Sequence, residues 1–361
     1  MIIPTIWFIL GLIALIGGAE ILVRAVTRLA TAIGISKLII GLTVVAFGTS
    51  APELAISIKA GISGQTDLML GNIIGSNISN TLLILGLVAV FIPLKVNKWL
   101  IKSDLPIMIG ITVIVFIFSL NGMITFWECL ILSGLLATYL IYLARQGYHG
   151  SEVPDVKPKR KPGSILLYLF FCIVGFVLLI TGAQWMIDSA LIFAEMMGVS
   201  ELVIGLTVVA IGTSLPEVVV VLVAAIRKER DIAVGSIIGS NILNLLAVLG
   251  VSGLFIQGAI PVQDVLIRFD IPLLILVSLL CIPIFYTGYR IARWEGGILL
   301  FFYGSYLYYL YLSNIEHPFL EHFTYWMSRW IIPGLIIVII IVAVFEWKKR
   351  YRFRNFNSDN Q

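Results

Sequence analysis

The sequence predicts an all-α polytopic membrane protein, a ten-helix core of two inverted five-helix repeats with an eleventh C-terminal helix. Three observations predict it: an apolar composition, evenly spaced apolar runs of membrane length, and a gap-free internal repeat. Of 361 residues, 60% are hydrophobic and only 12% charged, and the mean hydropathy is +1.05. A water-soluble domain carries roughly 25% charged residues to wet its surface. Most of this surface must therefore face lipid.

A bilayer core needs about 17–25 apolar residues per helical crossing. Eleven runs qualify, at 5–23, 36–60, 68–92, 104–120, 124–144, 164–187, 199–225, 232–256, 269–288, 294–312 and 331–347. Residues 5–23 are too long, and lack the charged start and small-residue cleavage site, to be a cleaved signal peptide, so they are the first span. The organisation that follows is a first repeat over 1–144, a basic linker over 145–163, a second repeat over 164–312, and a tail over 313–361. The tail holds an aromatic-rich external loop, the extra helix and a basic end.

Charge supports the count. With the 145–163 linker assigned to the cytoplasm, the inward loops and the C-terminal tail collect 21 of the 24 Lys and Arg, leaving only Lys59, Arg268 and Arg329 elsewhere. One missed span would invert half of that distribution. The expectation is a multi-pass protein of the plasma or cytoplasmic membrane, N-terminus outside and C-terminus inside. The net charge of +4 is thereby an orientation signal, and nucleic-acid binding is not needed to explain it. Cys129, Cys172 and Cys281 stand singly in apolar segments without metal-ligand spacing and read as packing residues. His149, His317 and His322 fall in loops, and no Ser/His, paired-Asp or HExxH arrangement points to an enzyme. No cofactor and no obligate protein partner is indicated.

The repeat is exact in register. Residues 41–86 lie over 205–250 with 25 of 46 positions identical, and 11–20 lies over 175–184. Five spans separate equivalent points, an odd number, so the second copy enters the membrane from the opposite side. Inverted repeats of this kind build secondary transporters, with binding near the midplane at the repeat interface.

Two polar segments recur inside these apolar spans: GTSAPE at 48–53 and GTSLPE at 212–217, then GSNISN at 75–80 and GSNILN at 239–244. Pro52 and Pro216 interrupt their helices and are expected to free nearby carbonyls such as those of Ala46 and Ala210. Glu53 and Glu217 follow directly. A carboxylate at mid-membrane costs on the order of 3 kcal/mol, which makes a functional site the default reading. Oxygens around the pair come from Thr49, Ser50, Ser76 and Asn80 in one repeat and Thr213, Ser214, Ser240 and Asn244 in the other. A set without sulfur or imidazole suits hard cations such as Ca2+ and Na+. Two ionised glutamates balance one divalent ion or several Na+, without choosing calcium over other divalents.

The doubled motif closely resembles the two alpha repeats of the sodium/calcium exchangers of the cation/Ca2+ antiporter superfamily, in their prokaryotic form. The resemblance spans the ten-helix core. It implies exchange of cytoplasmic Ca2+ for external Na+ by alternating access, with the two long helices that begin each half sliding across a core of the four motif helices. It implies Ca2+ ligation by Glu53, Glu217, Thr49 and Thr213. Na+ sites would be completed by Ser50, Ser76, Ser214, Ser240 and the carbonyls of Ala46 and Ala210. Some relatives place an aspartate where this chain has Asn244, which argues against potassium co-transport. The linker lacks the large regulatory calcium-binding loop of animal exchangers. The alternatives are H+/Ca2+ or other divalent exchange, since a buried glutamate also carries protons, and a passive cation channel. Outside the motif, Glu20 and its repeat mate Gln184, together with Asp104 and Glu128, are read as interfacial, and Lys59 as reaching the outer surface. The partners are then the transported Ca2+ and Na+ and the surrounding lipid.

Overall fold

In the computed structural model, residues 2–147, 162–196, 212, 214–315, 317–342 and 344 are described. Most of the linker, the basic tail and the first part of the seventh span lie outside them. Every predicted span is met by helix over its described residues. In chain order these are α1 (Ile2–Ile33), then α2 (Lys37–Thr49) and α3 (Ala51–Ile62), which form one span bent by 45°, then α4 (Thr66–Phe91) and α5 (Lys98–Ser119). They continue as α6 (Phe126–Gly147), α7 (Pro162–Met196), α8 (Leu215–Ile226), α9 (Arg230–Gly253), α10 (Leu266–Tyr286), α11 (Arg293–Asn314) and α12 (Phe319–Val342). The protein is a multi-pass membrane protein. α11 is long enough to cross, at about 33 Å, but its five tyrosines make it less apolar than its neighbours.

Two boundaries differ from expectation. α1 and α7 run well past the apolar limits, and both pack on α8 as well as on each other. The expected external loop at 313–330 shrinks to a short turn, since α12 begins at Phe319 directly after Pro318. Pro318 suits that start because its ring presets a helical φ.

Glycines show the inversion directly. A Cβ on Gly11 would come within 2.8 Å of the Gly182 carbonyl, and one on Gly18 within 2.9 Å of the Gly175 carbonyl. Gly11 and Gly175 are repeat mates, as are Gly18 and Gly182, so α1 and α7 cross antiparallel about a pseudo-two-fold. Lipid supplies no hydrophobic drive between helices, and such close backbone packing replaces it. The second seam joins α2 to α9, where a Cβ on Gly239 would meet the Leu42 carbonyl at 2.7 Å. α9 is wholly buried and α4 largely so, whereas α12 buries little.

Four short strands tie the loops into two sheets. β1 (Leu94–Lys95) pairs antiparallel with β4 (Arg290–Ile291), and β2 (Met123–Ile124) with β3 (Ile260–Pro261). The first sheet joins two loops expected on the cytoplasmic face, the second two loops expected outside. Lys37 and Glu229, also both expected inside, form an ion pair at 2.7 Å. Gln263 donates to Asp67 at 2.7 Å on the other face. Loops expected to share a face are thus together in space.

Candidate cation site

The two helix breaks are built alike. Ser50 (φ −81°, ψ 1°) and Ser214 (φ −89°, ψ 1°) each leave the helical region one residue before a new helix starts. Pro52 and Pro216 sit at the head of these new helices, where a missing amide hydrogen is no loss. Glu53 and Glu217 therefore occupy the first turn of α3 and α8. A carboxylate there is favoured by the helix macrodipole, by 0.3–1 kcal/mol and at most about 2. That falls short of the roughly 3 kcal/mol cost of the charge at this depth. The remainder needs a positive partner, and among the described residues no Lys or Arg forms an ion pair with either glutamate.

Both side chains are buried, Glu53 at 2% exposure and Glu217 at 5%. Glu53 is close enough to Glu217 for their charges to interact, and Thr49 lies beside Glu217 across the repeat boundary. Thr49 Oγ1 also lies 3.3 Å from Ser240 Oγ. The site is thus shared between α2, α3, α4, α8 and α9. Several buried oxygens have no hydrogen-bond partner: Glu53 Oε2, Glu217 Oε2, Ser50 Oγ and Asn244 Oδ1. Buried acceptors are normally satisfied, and a cluster of orphaned lone pairs around two carboxylates is the donor set of a hard cation.

The expected ligands divide into three groups. Thr49, Ser50, Glu53, Ser76, Ser214, Glu217, Ser240 and Asn244 are buried on the helices that converge here. Thr213 and Ala210 lie outside the described residues. Ala46 requires a correction, because its carbonyl is not freed by Pro52. It accepts the Ser50 amide at 3.0 Å, the Thr49 hydroxyl at 3.3 Å and the Ser240 hydroxyl at 3.4 Å. The amide withdrawn by Pro52 is the one that would reach Gly48, four residues back.

The asparagines behave differently from simple ligands. Asn80 donates to Asn241 Oδ1 at 3.1 Å, and Asn244 donates to Asn77 Oδ1 at 3.3 Å. Since 77 and 241 are repeat mates, as are 80 and 244, these are one contact made twice about the pseudo-two-fold. Asn244 also donates to Ser76 at 3.1 Å and Asn241 to Thr81 at 2.8 Å. Asn77 and Asn241 thus join α4 to α9 at the centre, although sequence reasoning singled out only Asn80 and Asn244. Their recurrence inside GSN was the available signal. Directly after each motif both helices widen into a π turn, Asn80–Ile84 and Asn244–Leu249, a distortion that marks functional sites.

Asp104 also needs revision. Asp104 is fully buried and accepts from Tyr139 at 3.2 Å, so it is no interfacial residue. Its counterpart is Asp270, which accepts from Tyr306 at 3.0 Å, each aspartate opening an Asp-x-Pro at a helix start. Glu128 accepts the Thr125 amide and Glu295 the Ala292 amide, a matched pair of helix caps. This second half of the repeat, with Trp127–Glu128 and Trp294–Glu295 also matched, escaped the sequence comparison because one- and two-residue shifts in the loops break the register.

Known proteins match this architecture over both repeats. The family model for the sodium/calcium exchanger protein matches residues 3–146 and 167–312. The chain belongs to the sodium/calcium exchanger family. It is 33% identical over 337 residues to the sodium/calcium exchanger MaX1 of Methanosarcina acetivorans, covering 83% of this chain and 96% of that protein. It is 33% identical over 290 residues to the inner membrane protein YrbG of Escherichia coli, covering 78% and 89% of the two chains. A solved structure of the sodium-calcium exchanger NCX_Mj soaked with Na+ and Ca2+ superimposes with a TM-score of 0.72 at 32% identity, over 87% of this chain and 98% of the other. As an exchanger, the chain is a cation/Ca2+ antiporter and not an enzyme.

Proposed function

We propose that the protein exchanges Ca2+ for Na+ at a single midplane site formed by the two repeats, which opens to each face in turn. The observation that carries this is the buried Glu53–Glu217 pair, one carboxylate from each inverted half, surrounded by orphaned oxygens. Two negative charges match one Ca2+ or two Na+, so the same cage alternates between cargoes without leaving net charge in the membrane. In this reading Glu53, Glu217, Thr49 and Thr213 hold Ca2+, while Ser50, Ser76, Ser214, Ser240 and the carbonyls of Ala46 and Ala210 complete the Na+ sites. Ala46 O already gathers two hydroxyls that a bound ion would displace. Asn80 and Asn244 border the cage and fix the crossing of α4 on α9. The positive-inside pattern places the N-terminus outside and the C-terminus inside, in the cytoplasmic membrane.

The test is uptake of labelled Ca2+ into vesicles carrying the purified protein. An outward Na+ gradient is expected to drive Ca2+ inward, and Glu53→Gln or Glu217→Gln to abolish the flux. Uptake that ignores Na+ and follows an imposed pH gradient would replace this reading with proton exchange. Flux that survives both substitutions would remove the site assignment.

A further inference from the structure

A cavity of about 320 Å3 lies beside the central site, with Ser76 and Ser214 on its inner wall. The rest of its lining includes Ser79 of α4, Tyr303 and Tyr306 of α11 and, in the first turns of α10, Asp270 at one end. The volume equals that of about ten waters. The loop leading into α10 carries β3, so this end belongs to the face on which β2 and β3 pair, the expected external face.

Asp270 is 6% exposed and, among the described residues, has no ion-pair partner. Its Oδ1 accepts from Tyr306. Ser79 is 4% exposed, and its Oγ has no hydrogen-bond partner, lying beside Tyr303 but outside bonding geometry. A buried carboxylate lining a cavity that reaches Ser76 and Ser214, with an orphaned hydroxyl on the same wall, is costly unless a cation visits.

The other half supplies the control. There Asp104 and Tyr139 repeat the same hydrogen bond, so the Asp–Tyr pair alone is a structural element of both repeats. The positions equivalent to Ser79 and Tyr303 are Leu243 and Leu136, which pack together against Ala46. One half is plugged by two leucines where the other is lined by two hydroxyls. Packing of the helices does not require that difference, since the leucine version packs well.

We propose that this cavity is a second cation site, with Asp270 as its charged ligand, holding one Na+ between the external face and the central cage. A single carboxylate neutralises one monovalent ion, whereas Ca2+ would keep an uncompensated charge in a site whose other groups are neutral. That the ion is Na+ rests on the exchange reading; that a cation binds beside Asp270 rests on the cavity.

The experiment counts 22Na+ bound to purified protein in lipid nanodiscs, using Glu53→Gln/Glu217→Gln protein to silence the central cage. That double variant is expected to keep one saturable Na+ per chain. Adding Asp270→Asn removes it, and so does adding Ser79→Leu/Tyr303→Leu, which copies the plugged half. Adding Asp104→Asn, the matched lesion in the other repeat, leaves it in place. In otherwise unmodified protein, Asp270→Asn lowers the bound Na+ by one and leaves binding of labelled Ca2+ unchanged. The site is refuted if the double variant, eluting as a single species, binds no Na+, or if Asp270→Asn changes no count. Saturable Na+ in the double variant together with Na+-independent Ca2+ uptake by the unmodified protein would overturn the exchange reading and leave this site standing.

Discussion

At one end of the α1–α7 pair, Glu20 accepts from Arg24 at 2.7 Å and from Arg227, which follows α8. At the opposite end its repeat mate Gln184 donates to Asp188 of its own helix at 2.8 Å. Ser63, the mate of Arg227, likewise bonds back to the Lys59 carbonyl of its own helix. The first helix of one half is therefore tied by charge to the end of the other half's broken span on one face, and the matching place on the other face has no ion pair among the described residues, while the centre between them is nearly symmetric. Glu20 is thus a contact between α1 and the end of α8, beyond the interfacial role read from its position. An exchanger with two identical halves would hold its two open states at equal free energy. Differences at the rims can bias that balance without touching the ligands, which is where evolution of direction and rate is least costly to the site.

The largest effect is expected at the symmetric centre. Glu53→Gln and Glu217→Gln should each weaken Ca2+ binding about 100-fold, equivalent to the roughly 3 kcal/mol that a mid-membrane charge carries. Thermal melting with and without Ca2+ checks this. Unmodified protein at a hundredfold excess over the dissociation constant gains about 2.7 kcal/mol, and the variants should gain only about 0.4 kcal/mol at that concentration. Unequal losses from the two substitutions would break the symmetry claimed for the cage.

Next is the seam. Gly182→Leu places side-chain atoms where even a Cβ would come within 2.6 Å of the Leu15 amide nitrogen. Overpacking of this kind costs about 1–3 kcal/mol, and here it opposes both packing and sliding. The expected outcome is a monodisperse protein with strongly reduced exchange, measured by Ca2+ flux against melting temperature. Full exchange would show that α1 and α7 part during transport and carry no close contact.

The asparagine pair sharpens the comparison further. Asn241→Ala removes an acceptor for Asn80 and a donor to Thr81, whereas Asn77→Ala removes only the acceptor for Asn244, since Asn77 Nδ2 is itself unpartnered. Each orphaned buried group costs about 1–3 kcal/mol, so Asn241→Ala should lower the melting temperature more. Equal shifts would mean that the Thr81 contact adds nothing.

The smallest effect is expected at the clamp. Glu20 and Arg227 are about one-third exposed, and such pairs contribute roughly 0.2–1 kcal/mol. Glu20→Gln makes α1 resemble α7 and should shift the ratio of inward- to outward-open protein by no more than about fivefold. Labelling rates of single cysteines placed at the two mouths report that ratio. A shift beyond tenfold would make this contact the main determinant of state preference.

Much of this was legible in the residues themselves. Apolar run length located the helices, the odd spacing of the repeat implied inversion, and Glu53 and Glu217 stood out as charges that lipid does not tolerate. Other parts were hidden for identifiable reasons. Asp104 resembled an interfacial residue because its position near a span end is visible, while the Tyr139 hydroxyl that receives its burial is 35 positions away. Asn77 looked like filler in GSN because its partner Asn244 is 167 residues distant. Ala46 was expected to have a free carbonyl because the effect of a proline was placed two residues too far upstream.

What the chain determined by itself was one-body chemistry: the free energy of each segment or charge in lipid, which depends on composition and run length alone. The repeated GTS-x-PE and GSN segments therefore pointed to a shared cation cage before any coordinates. Tertiary structure decided which polar positions keep orphaned oxygens, which crosslink helices, and which are matched by leucine in the other half. Those outcomes depend on pairs of side chains brought together by antiparallel crossing about the pseudo-two-fold. Ser79 with Tyr303 and Leu136 with Leu243 occupy matching places, and that match is visible only once the helices are brought together.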